Sequence, residues 1–167
     1  IVLSIILVLW GHEGPPGRND HVYKFSPDDA LRMAAQIRAN LKLPHELVLV
    51  TDFPQHLFPS ELRYVSIADH FAEVRQLGGC YLRLQFFQPG MAEVLGPRIA
   101  WLDLDSVICG DLDPLFGRRE PLVLYRSDSL RTTRWNGSFV LGDVDANAEI
   151  WTRFDMGWEP DEVNRFI

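Results

Sequence analysis

Arg98-Ile99-Ala100-Trp101-Leu102-Asp103-Leu104-Asp105-Ser106-Val107-Ile108 decides how this chain is read. Arg98 to Leu104 is alternating and bulky, which reads as a strand. Two carboxylates, Asp103 and Asp105, stand at its carboxyl end. In extended chain, residues i and i+2 point the same way, so both acids are expected to face one cavity. Ligands of open α/β sheets bind just beyond the carboxyl ends of the strands. Two like charges this close repel unless a cation joins them. A hard divalent ion such as Mg²⁺ or Mn²⁺ suits oxygen ligands and commonly takes substrate phosphates as well. Such an ion neutralises a diphosphate leaving group. An Asp-x-Asp pair alone is weakly specific, and in a solvated turn it would only cap the next helix. Its place after an apolar strand favours a site. The acids that follow, Asp111 and Asp113, read instead as helix-start chemistry, with Pro114 fixing the turn.

Outward from this stretch, apolar strands alternate with helical patterns. Ile1 to Trp10 is almost wholly apolar. It is too short for a membrane helix and lacks the basic flank and small-residue cleavage site of a signal peptide. It reads as a buried central strand, followed by a loop over Gly11 to Asp20. Ser26, Pro27 and Asp28 start a helix in which Ala30, Leu31, Ala34, Ile37 and Leu41 recur at helical spacing, and Pro44 stops it. Leu47 to Val50 is a second buried strand, ending in Thr51-Asp52, and Leu62 to Ile67 a short third. Asp69 to Leu77 reads as a helical turn or two, Gly78-Gly79 as a break, and Cys80 to Phe87 as a helix. Leu122 to Tyr125 and Asn136 to Leu141 are strands, Asp145 to Phe154 is a helix, and Pro160 opens a last one. This order predicts an α/β fold, a Rossmann-like three-layer sandwich with a mainly parallel central sheet. Residues 1–167 read as a single domain, with no repeat and no dividing linker; a chain stopping just inside a helix reads as a domain cut short at its C-terminus.

Composition narrows the classes. With 167 residues, 47% apolar and 23% charged, the chain is neither disordered, collagen-like nor a disulfide scaffold. Its net charge of −7 offers no basic patch for nucleic acid, so an anionic substrate would be held by a few placed arginines or a metal ion. Cys80 and Cys109 lack paired C-x-x-C spacing and read as small core residues. With no membrane span or leader legible, a cytoplasmic location is expected.

Three blocks carry a resemblance. They are Gly79-Cys80-Tyr81-Leu82-Arg83-Leu84, then Arg98 through Leu112, then Trp135-Asn136-Gly137-Ser138-Phe139-Val140-Leu141. In this order they resemble the Tyr-x-Arg-Leu helix, the strand ending in Leu-Asp-x-Asp and the later Asn-bearing strand of nucleotide-sugar glycosyltransferases of the GT-A fold. The nearest are glycosyltransferase family 8 and its short bacterial and phage-like relatives. Each block is weak alone; the ordered set is fairly specific and covers most of the chain.

The resemblance implies a transferase that moves a sugar from a nucleotide-diphosphate donor, UDP-linked, to a hydroxyl of a saccharide or other acceptor. It implies retention at the anomeric carbon and a hexosyltransferase type. Asp103 and Asp105 match the Asp-x-Asp that coordinates Mn²⁺ or Mg²⁺ and, through it, the diphosphate. Arg83 matches the arginine beside the donor sugar and phosphates, a sensible place for a fixed guanidinium. Asn136, Gly137 and Ser138 match the segment lining the sugar and acceptor pocket. Trp10 and Gly11 fall where these families hold the nucleobase, and Asp52 ends a strand at the same edge, near ribose or base. In Glu159-Pro160-Asp161-Glu162-Val163-Asn164, Asp161 is the best match to an acid facing the anomeric carbon or acceptor hydroxyl, so Asp161 and Asn136 are the catalytic candidates.

Plainer roles stand beside these. Arg83 suits a surface arginine paired with an acid, Trp10 a core residue, residues 136–138 a strand-entry turn, and Asp161 first-turn acidity of a helix. The chain also departs from the family. A further metal ligand, often His, usually comes later, whereas His12, His21, His45, His56 and His70 all precede the Asp pair, and a Gly/His/Lys segment that closes over the diphosphate is absent. Two other readings remain: a haloacid-dehalogenase-like phosphatase using Asp103 and Asp105, and a nucleotide-sugar-binding domain without catalysis.

Overall fold

The computed structural model describes residues 2–10, 25–75, 81–126 and 135–154. The loop expected after Trp10, the Gly78-Gly79 break and the helix expected at Pro160 lie outside these residues, as do Gly11, Cys80 and Asp161. The described strands are β1 (Leu3–Leu9), β2 (His45–Thr51), β3 (Arg63–Ser66), β4 (Arg98–Leu102), β5 (Leu122–Arg126) and β6 (Trp135–Asp143). They form one sheet in the order β3-β2-β1-β4-β6-β5. Strands β3, β2, β1 and β4 run parallel, β6 is antiparallel to β4, and β5 is antiparallel to β6. The mixed α/β architecture with a mostly parallel sheet is thus the one expected.

The apolar run in β1 follows from its position. All seven of its residues are buried. Leu3, Ile5, Leu7 and Leu9 pack on one side with Ala30, Met33, Ala34 and Ile37 of helix α1 (Pro27–Asn40). Ile6 and Val8 pack on the other with Phe71, Phe86, Phe87 and Leu95. A strand covered on both faces has no solvent side on which to place polar residues. Helix α1 and the short α5 (Asp113–Phe116) cover the first face. The second carries α2 (Ile67–His70), α3 (Ala72–Arg75), a 3-10 segment Tyr81–Phe87, α4 (Met91–Leu95) and α6 (Ala148–Thr152).

Helix α1 starts as its sequence dictates. Pro27 occupies the first turn, and the Asp29 carboxylate accepts hydrogen bonds from both the N–H and the hydroxyl of Ser26 at 2.8 Å. The helix ends at Asn40, ahead of Pro44. The acids expected to start a helix do so: the Asp113 N–H donates to Asp111 Oδ1 at 3.0 Å. Asp113 Oδ1 in turn accepts from the N–H groups of Lys42 (2.7 Å) and Leu43 (3.1 Å), tying α5 to the end of α1.

Four details differ from expectation. Tyr81–Phe87 winds as a 3-10 helix. Its buried residues, Leu82 and Leu84 through Phe87, are nearly consecutive, so no single α-helical stripe forms. Helix α4, for which nothing was expected, forms between Pro89-Gly90 and Gly96. The helix expected over Asp145 to Phe154 divides into a 3-10 turn (Asp145–Asn147) and α6. Cys109, expected in the core, is exposed and free, because it sits in the loop after β4, outside both cores.

The amino edge of the sheet is clamped by one ionic cluster. The Ser4 hydroxyl and Arg63 Nη2 both donate to Glu46 Oε1, at 2.7 and 2.9 Å, and Arg63 Nε donates to Oε2 at 3.1 Å. The same guanidinium donates to the carbonyls of Val94 (2.5 Å) and Leu95 (3.0 Å), fastening the end of α4 to β1, β2 and β3. Hydrogen bonds from Arg63 hold the Glu46 carboxyl below its ordinary value near 4.5, against the opposing effect of partial burial, with Ser4 adding to the lowering. A depressed folded value means that this contribution is present above pH 4.5 and is lost as pH falls through the lowered value. Urea unfolding of Glu46→Gln and the parent is therefore expected to differ at neutral pH and to converge as acidification protonates the Glu46 carboxylate. A constant gap would show that Glu46 acts without its charge.

Gly96 lies against this cluster with φ +105, and a Cβ there would stand 2.3 Å from Ser4 Oγ. Gly90 has φ +92 but open space around it. Gly96→Ala is expected to cost about 2–3 kcal/mol in thermal unfolding, through strain plus displacement of Ser4, and Gly90→Ala only about 1 kcal/mol. Equal losses would mean that backbone strain alone sets the cost.

Candidate functional site

Strand β4 ends at Leu102, one residue before the acids. Its last pairing with β6 is Leu102 to Phe139. The Asp103 N–H still donates to the Ser138 carbonyl at 2.9 Å, but the Ser106 N–H already donates to the Asp103 carbonyl at 2.9 Å, closing a turn. The extended i, i+2 geometry expected for Asp103 and Asp105 therefore does not carry through. Once the β-ladder stops, alternation of side chains stops with it. Both acids sit on a turn at the carboxyl edge of the parallel strands, Asp103 half-buried and Asp105 exposed.

Arg83 reaches this turn from the 3-10 segment, whose neighbours Leu82 and Leu84 are buried under the sheet. Its Nη1 pairs with Asp103 Oδ1 at 2.5 Å and donates to the Gly137 carbonyl at 3.3 Å. Its guanidinium carbon lies 5.9 Å from the centre of the Trp101 ring. The side chain is only 12% exposed. The Trp101 indole N–H donates to the same Gly137 carbonyl at 2.9 Å. Beside it, Asn136 Oδ1 accepts from the Ser138 N–H at 2.7 Å, which shapes the entry to β6. Arg83, Asp103 and residues 136–138 are thus brought together by the 3-10 segment, β4 and β6. Open space surrounds the position where Gly137 would carry a Cβ.

Arg83 is indeed paired with an acid, as its plainer reading had it, but nearly buried and at the sheet edge. Its Nε is buried without a partner among the described residues. An unmatched buried donor is costly and marks a place to look for a missing acceptor.

Trp10 and Asp52 leave β1 and β2 at the same edge, directly after the last paired residues Leu9 and Thr51. Trp10 is half-buried and packs against the core containing Phe86 and Trp101, so the core role holds for at least part of its ring. Asp52 is half-buried next to a turn in which the Phe53 N–H donates to Thr51 Oγ1 and the Tyr64 hydroxyl to the Phe53 carbonyl. Gly11 and Asp161 lie outside the described residues. Trp101 was passed over as strand bulk. Its position two residues before Asp103 was the available signal, since alternate strand residues share a face.

Among the described residues no three His, Cys, Asp or Glu side chains come close enough together to hold a metal ion. The donor set at the turn is two carboxylates, one already carrying Arg83. Hard oxygens of this kind fit Mg²⁺ or Mn²⁺, with substrate phosphates and water completing the shell.

No protein-family model and no curated protein matches the chain. Solved structures do. The apo form of glycosyltransferase GlyE from Streptococcus pneumoniae TIGR4 superposes with a TM-score of 0.54 over 89% of this chain, at 14% sequence identity. The galactosyltransferase LgtC, solved with donor and acceptor sugar analogues, superposes with a TM-score of 0.50 over 99% of it, at 10% identity. The fold is that of GT-A glycosyltransferases. The chain spans 36% of the GlyE chain and 64% of the LgtC chain. At these identities the likeness is one of fold. It matches the expected GT-A architecture, a mostly parallel sheet between helical layers. No helix among the described residues is long and apolar enough to cross a membrane.

Proposed function

We propose that residues 1–167 form a GT-A catalytic unit that binds a nucleotide-diphosphate sugar, UDP-linked, and transfers the sugar to an acceptor hydroxyl. The observation that carries this reading is the Arg83–Asp103 pair, set against Gly137 at the carboxyl edge of the parallel strands. A basic group, two acids and a strand entry without a side chain at Gly137 stand together where α/β sheets take their ligands. Mn²⁺ or Mg²⁺, when bound, neutralises charge on the leaving diphosphate. Asp103 and Asp105 would hold that cation. Arg83 would donate to diphosphate oxygens, and Trp101 would keep its guanidinium in place. Asn136 and Ser138 would hydrogen-bond sugar hydroxyls, while Gly137 lets the sugar approach the backbone. Trp10 and Gly11 would border the base, with Asp52 beside the ribose. Asp161 is assigned to the reacting carbon or the acceptor hydroxyl. In this reading rate comes from positioning and electrostatic stabilisation, with retention at the anomeric carbon, a hexosyl donor and a cytoplasmic site of action.

A donor screen by thermal shift tests the proposal. With Mn²⁺ present, one nucleotide sugar is expected to raise Tm by several degrees, and a chelator to abolish the rise. Donor hydrolysis or transfer should then depend on Mn²⁺. Binding without turnover returns the non-catalytic reading, and a phosphoenzyme trapped by a fluoride analogue returns the phosphatase.

A further inference from the structure

We propose that Arg83 is a resident counter-ion of Asp103, so that a divalent cation and the guanidinium compete for one carboxylate. This rests on the glycosyltransferase reading above and deepens it. Nη1 of Arg83 already occupies Asp103 Oδ1 at 2.5 Å. A cation coordinated by that oxygen would sit at about 2.0–2.1 Å from it. Two positive groups on one oxygen repel, at a site where Arg83 is only 12% exposed and screening by water is weak.

Charge counting gives the consequence. The Arg83–Asp103 pair is neutral as it stands. A divalent cation on Asp103 alone adds two positive charges and strips a nearly buried guanidinium of its carboxylate, which is unfavourable. A nucleotide diphosphate supplies the anion that the displaced guanidinium then needs. Arg83 need not leave to make the exchange. The Trp101 face and the Gly137 carbonyl still hold it while it pivots. Its buried Nε has no partner among the described residues, a donor that an incoming phosphate oxygen would satisfy. The site therefore admits cation and diphosphate together and resists the cation alone.

Mn²⁺ titration followed by the electron paramagnetic resonance of free Mn²⁺, with and without saturating UDP, tests this. The parent chain is expected to bind Mn²⁺ weakly alone and about tenfold more tightly with UDP. Arg83→Met, which keeps an unbranched apolar stem, is expected to bind Mn²⁺ alone about tenfold more tightly than the parent and to lose the enhancement by UDP. Arg83→Lys keeps the charge and should show no such gain. A direct observation needs no variant: the Arg83 Nε–H resonance in ¹⁵N spectra should shift with Mg²⁺ plus UDP and stay in place with Mg²⁺ alone. If Arg83→Met loses UDP affinity with no gain for Mn²⁺, Arg83 is a phosphate ligand only and the counter-ion role is overturned. If neither protein shows Mn²⁺-dependent UDP binding, the glycosyltransferase reading fails and takes this inference with it.

Discussion

Asp105→Asn is expected to abolish Mn²⁺-dependent binding of UDP while leaving the fold intact. Asp105 is exposed on the turn after β4 and belongs to neither core. Asparagine keeps the shape of the side chain, and the unfolding midpoint of the variant, measured beside the titration, separates loss of binding from loss of fold. The cation, in contrast, loses one of two protein carboxylates. In a shell otherwise completed by phosphate and water, that is expected to cost about 100-fold in the Mn²⁺-dependent part of UDP affinity. Calorimetric titration of UDP with Mn²⁺ and with chelator reads this part directly. Asp103→Asn is a less clean test, because it also breaks the pair with Arg83. Unchanged Mn²⁺-dependent affinity in Asp105→Asn would defeat the assignment of the metal site.

The second large effect is on stability. Trp101 is 4% exposed and packs edge-on to Phe86 at 5.6 Å and tilted to Phe87 at 6.0 Å between ring centres. Trp101→Ala is expected to cost about 3–5 kcal/mol, through lost burial and the cavity left beneath the 3-10 segment. Trp101→Phe keeps most of the packing but loses the indole N–H bond to Gly137, and should cost about 1–2 kcal/mol. Urea unfolding measures both. The Phe variant also frees the Gly137 carbonyl from one of its two donors and removes the larger ring beneath Arg83. Its UDP affinity should therefore fall further than its stability change alone would require. Parent-like stability in Trp101→Ala would mean that this side of the sheet is far looser than its packing implies.

The strands were legible because burial on both faces leaves only apolar residues to choose from, as in Leu3–Leu9 and in Leu47 to Val50. The start of α1 was legible because Ser26 and Pro27 meet local needs of the backbone, while Asp29 as the partner of Ser26 emerged only in the structure. Helix α4 was not, because its five residues sit between signals that normally mark loops. Cys109 was misjudged because residue type alone says nothing about whether a neighbouring layer covers it.

The site divides in the same way. The Asp-x-Asp after an apolar strand was conspicuous from charge and position alone, whereas Arg83 and Asn136 to Ser138 stood out through the family resemblance of their blocks. Their mutual arrangement did not. Arg83 and Gly137 are 54 positions apart and meet only because the 3-10 segment is buried against β4, which pairs with β6. The local sequence by itself determined where strands and helices form and which residues carry charge, since those depend on nearest neighbours and on the period of apolar residues. Only the tertiary structure decided that the chain turns at Asp103, that Arg83 claims its carboxylate, and that Trp101 and Gly137 hold the guanidinium. Those contacts depend on sheet order and register, which no short stretch of chain specifies.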